Sequence, residues 1–336
     1  MKVGAARAAA IDWVGRHAAR EPGFVGAYFS GSTIYLPEHA EVPIGSDVDV
    51  MVVSEREQAS HRSKFLHRGT LIEASYHPWS SFTSLDTVPS AHSLRLDSII
   101  ADPSGRLAQM QPAVAYHVTE PARVRRRSRD IWQATGQALG QLDPSVPWPD
   151  QVMEWAFRTS WTALLLLVAA VRNPTVRLRY LAARDLLTEY GLSDVYPELL
   201  ELLGCVDLAP DRAQHHLDEL TQTFDIAARV AHTRFGFSSD ITPVARPVAI
   251  DGIREQIRMG NHREVVFWLV ATYTRCHKIL ATDAPELERE RSPAFDAMLA
   301  DLGVRSPADL GGRAEAAIAF LPRLWEATEA ILAAKS

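Results

Sequence analysis

The chain has two cysteines in 336 residues, Cys205 and Cys276. They lie far apart and form neither a metal-ligand nor a redox spacing, which excludes a disulfide framework. They read as two small buried apolar side chains in a reducing compartment. The histidines, among them His61, His67, His77 and the pair His215-His216, show no zinc spacing either. No Gly-X-Ser-X-Gly elbow, Walker A loop or dinucleotide glycine fingerprint is present, so the catalytic classes built on those motifs are set aside. A long apolar run is also missing. The longest, residues 163–171, falls short of the roughly 20 residues that cross a bilayer and reads as a buried helix. Arg7, Asp12 and Arg16 interrupt the first twenty residues where a signal peptide would be apolar. A cytoplasmic address and no membrane partner are expected.

A positive surplus is lacking too. The net charge is −6, with residues 1–150 near neutrality at −1 and residues 151–336 at −5. Proteins that hold long nucleic acids draw most of their affinity from basic surfaces. An RNA or DNA track is therefore disfavoured, and a neutral or cationic small acceptor suits the balance better. Hydrophobic content of 47% and charged content of 23% are those of an ordinary globular protein. The length is comfortable for two domains with full cores. There is no internal repeat and no disordered composition. Oligomeric state is not legible.

The chain changes character along its length. Residues 5–19 are Ala-rich with Ile11, Trp13 and Val14 on one side, predicting an amphipathic helix that Pro22-Gly23 ends. Residues 24–30 and 48–53 are β-type runs, as are 65–67 and 71–76, separated by Gly69, and the short run 98–101. Residues 105–117 look helical. From about Pro121 helical periodicity dominates, over roughly 123–142, 151–171, 177–190, 211–232, 250–258, 262–280 and 315–334. The expected fold is α+β: a mixed sheet flanked by helices over residues 1–120, then an α-helical bundle over 121–336.

The chemistry-bearing segment is Gly31-Ser32, followed by Ser46-Asp47-Val48-Asp49-Val50-Met51-Val52-Val53. Carboxylates at i and i+2 of a strand project from one face, roughly 7 Å apart at their Cα atoms, and can converge on one cation. Hard oxygen donors are what Mg²⁺ prefers, with waters and substrate phosphates completing its shell. A third acid from a neighbouring strand would complete the set. Glu73, flanked by apolar residues in Leu71-Ile72-Glu73-Ala74, is the candidate, because an acid inside such a strand is costly unless compensated. Gly31 and Ser32 let the backbone approach phosphate oxygens and donate to them. Phosphoryl-type transfer asks of a protein mainly positioning and charge neutralisation.

The order strand, Gly31-Ser32, loop, Asp47-Val48-Asp49 on a strand, then Glu73 on a later strand resembles the DNA polymerase β-like nucleotidyltransferase superfamily. The helical region after it resembles the aminoglycoside and related antibiotic nucleotidyltransferases. The fourteen-residue loop 33–46 is somewhat longer than the gap usual in that family. The resemblance implies an enzyme that moves an NMP group from a nucleoside triphosphate, with ATP the expected donor, to a hydroxyl of a small acceptor such as an aminoglycoside-like molecule, releasing pyrophosphate. It implies Mg²⁺ held by Asp47 and Asp49, phosphate contacts from Ser32 and from Ser46, and Glu73 as third ligand or general base. The acceptor would lie in a cleft between the domains.

In the helical half, Asn261 and Glu264 have the spacing of a capping box, and Val266, Leu269, Val270 and Tyr273 recur at helical spacing. By the resemblance, Tyr273 and Lys278 are candidates to meet the base and the triphosphate. The plainer alternative is a core tyrosine and a solvated lysine. Asp102, in Asp102-Pro103-Ser104-Gly105, is good turn chemistry rather than a further ligand. The run Arg123, Arg125, Arg126, Arg127 and Arg129 scatters around a helix and reads as a solvated or interdomain face, polyanion binding being the rival. The competing functional readings are a nucleotidyltransferase acting on tRNA or protein, and a non-catalytic nucleotide-binding module.

Overall fold

Val48, Val50 and Val52 turn to one side of their strand, and Asp49, Met51 and Val53 to the other, as a side-chain period of two requires. The computed structural model describes residues 1–57 and 61–335. It is an α+β protein with a five-stranded mixed sheet, and it is mostly helical in its C-terminal half.

The strands are β1 (Phe24–Ser30), β2 (Val48–Ser54), β3 (His61–His67), β4 (Thr70–Pro78) and β5 (Ile99–Ala101), in spatial order β3-β4-β2-β1-β5. β2 and β4 run parallel; the other pairs are antiparallel. The β3–β4 hairpin turns through Arg68 and Gly69 at φ 48° and 77°. Both central residues are left-handed, as a two-residue turn matched to strand twist requires. Helix α1 (Val3–Arg16) lays Ala6, Ala10, Trp13 and Val14 on the face made by Val48, Val50, Val52, Ile72, Ala74 and Tyr76. The other face is only part apolar. Tyr28, Met51 and Val53 pack there with Phe82, Leu94 and two residues of α2 (Arg106–Thr119), Leu107 and Val114. The polar end of this second face carries the site.

The chain divides into two compact units: Met1–Arg123 with Phe235–Val248, and Val124–Arg234 with Ala249–Ser336. A single cut between residues 120 and 121 therefore misplaces one segment. Phe235–Val248 returns to the sheet-bearing unit from the middle of the helical sequence, and its packing is non-local, so local periodicity carries no sign of it.

The helical unit holds α3 (Pro121–Leu139), α4 (Trp148–Ala169), α5 (Arg179–Glu189), α6 (Tyr196–Leu202), α7 (Pro210–Val230), α8 (Gly252–Arg258), α9 (Val266–Asp283), α10 (Pro285–Asp301) and α11 (Pro307–Ala334); the first turn of α3 lies across the boundary. α9 buries 14 of its 18 residues, the mark of a helix enclosed on all sides; α4, α7 and α10 pack against it. α4, 22 residues long and close to the expected 151–171, has the length and composition to cross a membrane. It packs on α5, α9 and α11, with 61% of its apolar window buried inside the fold.

Two local expectations change. α9 starts at Val266, and Asn261 and Glu264 do not form a capping box. Asn261 Oδ1 and Glu264 Oε1 each accept from Arg184 at 2.9 Å, and the Tyr196 hydroxyl donates to the same glutamate oxygen at 2.9 Å. Three hydrogen bonds on two buried acceptors outweigh a cap. α10 was not expected, because Pro293 and a dense run of charges hide its apolar positions Phe295, Met298 and Leu299.

Candidate functional site

Strand register builds the site. The parallel β2–β4 ladder sets Asp49 against Glu73, the β1–β2 ladder sets Ser30 against Asp49, and the β3–β4 ladder sets Lys64 against Glu73. Ser30, Asp49, Glu73 and Lys64 thus form one transverse row across four strands, on the face away from α1. Asp47 precedes β2 by one residue and turns to the same face. One carboxylate oxygen from each of Asp47, Asp49 and Glu73 lies within 4.8 Å of the others. Glu73 is buried, and the two aspartates are half-buried.

Gly31 follows β1 with φ +70°, a left-handed conformation that suits glycine. Asp49 lies directly over it: a Cβ built on Gly31 would stand 1.7 Å from Asp49 Oδ2. Glycine is required here twice, for its backbone and for the carboxylate's place. Ser32 heads a single 3₁₀ turn, Thr33–Tyr35. Arg7 ties that loop down by donating to the carbonyls of Thr33 and Leu36, the latter at 3.0 Å. Ser46 closes a turn just before Asp47, its N–H donating to the Pro43 carbonyl at 3.0 Å. Gly31, Asp47, Asp49 and Glu73 are therefore brought together, with Ser32 and Ser46 next to them in the chain.

Tyr273 and Lys278 are placed otherwise. Tyr273 is fully buried in the helical unit, with ring centroids 5.5 Å from Phe295 and 5.9 Å from His277. A phenol enclosed by its own core has no face left for a base. Lys278 is ion-paired with Asp150 on α4. Both expectations as nucleotide contacts give way to packing within that unit.

Three further charged groups join the acids. Lys64 Nζ, on a side chain only 5% exposed, pairs with Asp47 Oδ2 at 2.9 Å, with Glu73, and with Asp240 Oδ1 at 3.3 Å. Arg62 lies 3.5 Å from Glu73 Oε1 and 3.9 Å from Asp240 Oδ2. Asp240, itself buried, arrives on the returning segment Phe235–Val248. Four carboxylates against two cations leave two formal negative charges, the complement of one divalent ion. One signal for Lys64 was available: lysine is rare here, four residues against 31 arginines. Apolar β-type residues mark this strand only from Phe65, and its first half is polar, as on an edge strand. Nothing local marks Asp240.

The remaining candidates are accounted for by neighbours. Asp102 Oδ2 accepts from Ala108 N–H at 2.9 Å at the start of α2. Arg125 bonds Glu329, Arg126 lies 3.9 Å from Asp130, and Arg129 sits 5.8 Å from the Trp325 ring centre. Most of the arginine run is thus engaged with neighbouring acids and an indole. No family model, no curated protein and no solved structure matches the chain.

Proposed function

We propose that the chain is a magnesium-dependent nucleotidyltransferase that moves an NMP group from a nucleoside triphosphate, ATP by expectation, to a hydroxyl of a small acceptor. The observation that carries this is the convergence of Asp47, Asp49 and Glu73 within 4.8 Å beside the left-handed Gly31 turn. The donor set fits the ion: three carboxylates from adjoining strands are hard oxygen ligands, and the surrounding charge is short by two. Mg²⁺ held there would neutralise phosphate charge and orient the transferred group.

The chain's own residues carry the remaining tasks in this reading. Gly31 keeps the backbone bare so that phosphate oxygens can approach the Gly31-Ser32 amides, and the Ser32 hydroxyl donates to them. Ser46 offers a second hydroxyl beside Asp47. Glu73 either completes the ligand set or takes the proton from the attacking hydroxyl at its carboxylate oxygen. Burial of Glu73 favours a specific role, since an acid in a strand interior costs several kcal/mol unless a partner offsets it.

A second reading has one observation in its favour. Lys64 already pairs with Asp47 and Glu73, as it would in a purely structural ion cluster of a non-catalytic nucleotide-binding module. The two readings separate in one experiment. The protein is incubated with Mg²⁺ and each labelled NTP against a panel of small hydroxylated acceptors and tRNA, with pyrophosphate release followed. Turnover that disappears in Asp47→Ala and Asp49→Ala, with folding retained by circular dichroism, supports the enzyme. Unchanged turnover in either variant refutes the site, and nucleotide binding without turnover on any acceptor favours the module. A salt-dependent tRNA complex lost on removing the charges of Arg125, Arg126 and Arg127 would move the acceptor from a small molecule to RNA.

A further inference from the structure

Lys64 is left without a task by the reading above, yet it is the best-connected charge in the site. Its ammonium pairs with two of the three carboxylates assigned to the divalent ion, Asp47 and Glu73. A carboxylate oxygen engaged by an ammonium is a weakened metal donor, and a divalent ion a few ångströms away repels that ammonium. Metal and lysine therefore compete for the same carboxylates. Lys64 has a third partner, Asp240 at 3.3 Å, which is not among the three proposed ligands. Asp240 is delivered by the one segment that leaves the helical sequence to pack with the sheet.

We propose that Lys64 is a tethered cation that neutralises the acidic cluster until a divalent ion replaces it, and that Asp240 is the carboxylate that keeps the displaced ammonium. This rests on the divalent site proposed above and adds how that site is loaded. The charges close. With the ammonium on Asp240 that pair is neutral, and Asp47, Asp49 and Glu73, offset by the Arg62 guanidinium beside Glu73, leave two negative charges for the ion. In the free protein the exchange stops three carboxylates from repelling one another in a half-buried place. It also sets the ion's apparent affinity below its intrinsic one, because binding must first displace an internal competitor. Arg62, at the same edge, lies near Glu73 and Asp240.

The test is Mn²⁺ binding to the full chain without nucleotide, followed by electron paramagnetic resonance, with the Mg²⁺-induced rise in unfolding temperature as a second readout. Lys64→Met should bind Mn²⁺ about tenfold more tightly than the parent, since the competitor is gone. Lys64→Gln, which keeps a donor for Asp240 and removes only the charge, should show the same gain if the methionine variant folds poorly. Asp240→Asn should weaken binding roughly threefold in the parent and by less than about twofold in the Lys64→Met background, where there is no ammonium to keep. Equal Mn²⁺ affinity in the parent and both Lys64 variants, abolished by Asp47→Ala, would overturn the exchange and leave the divalent site standing. Absence of bound Mn²⁺ at millimolar concentration from the parent and every Lys64 variant would instead overturn the divalent site itself.

Discussion

Gly31→Ala is the sharpest perturbation of the site, because it adds one carbon at a point where the geometry is tightly constrained. The new Cβ would lie 1.7 Å from Asp49 Oδ2 and 2.6 Å from its Cγ, far inside the roughly 3.5 Å at which non-bonded atoms rest. The Asp49 side chain, freer to rotate than the backbone of the turn, must swing away from Asp47 and Glu73, which removes one carboxylate from the cluster. The backbone adds its own cost of about 1–2 kcal/mol for holding a non-glycine residue at φ +70°. Gly105→Ala supplies the control: it sits at φ +72° with nothing within 4 Å of its added carbon, so it carries the backbone cost alone. Urea unfolding should show Gly105→Ala destabilised by about 1–2 kcal/mol and Gly31→Ala by at least as much. Mn²⁺ affinity should fall by about tenfold or more, and turnover by about a hundredfold, in Gly31→Ala only, as expected for a reacting group displaced by an ångström. If the two alanine variants bind Mn²⁺ equally well, Asp49 is not a ligand and the placement of the site is wrong.

Glu73→Gln should lower turnover far more than nucleotide affinity if the carboxylate is the base, whereas parallel losses in kcat and affinity would assign it to the ligand set. Burial, with Arg291 nearby, pushes His277 down to about 4. Glu288 Oε1, 3.4 Å from its Nδ1, opposes this shift, but the two are not aligned for a hydrogen bond. Between about pH 4 and 6.5 the unfolded chain therefore binds the proton and the folded one does not, so stability should fall as pH drops through that window, by up to about 3 kcal/mol. His277→Phe should flatten that fall in urea titrations, and a slope identical to the parent's would show that other groups cause it. Cys205 and Cys276 are fully buried, and burial drives both thiols well above their ordinary range. A thiol reagent should label neither until the chain is unfolded; rapid labelling of the native protein would refute their enclosure.

Much of the secondary structure could be read in advance where the signal is local. The first strand was expected over residues 24–30 and is found at Phe24–Ser30; the acid-bearing strand was expected over 48–53 and runs Val48–Ser54. Both are dense in β-formers and bounded by turn residues, so period and punctuation agree. Local signals failed where other forces dominate. α10 is held by three buried apolar residues inside a charged, proline-interrupted run. Tyr273 suited either a core or a ligand and Lys278 either solvent or a ligand, and the helical unit gives the first a place in its core and the second an ion pair with Asp150.

Asp47 and Asp49 share a face by the geometry of a single strand, and Gly31-Ser32 is recognisable as a small-residue segment that lets the backbone come close to a phosphate; the sequence determines that much alone. Which strands lie side by side is not a local property. Only the parallel β2–β4 pairing puts Glu73 beside Asp49, and only the β3–β4 hairpin points Lys64 at Glu73 and Asp47. Only the return of Phe235–Val248 brings Asp240 to them across the chain. Side-chain direction repeats every two residues and can be read from a string of letters, whereas strand neighbours are selected by the burial of a whole core, a sum over contacts that no short segment encodes.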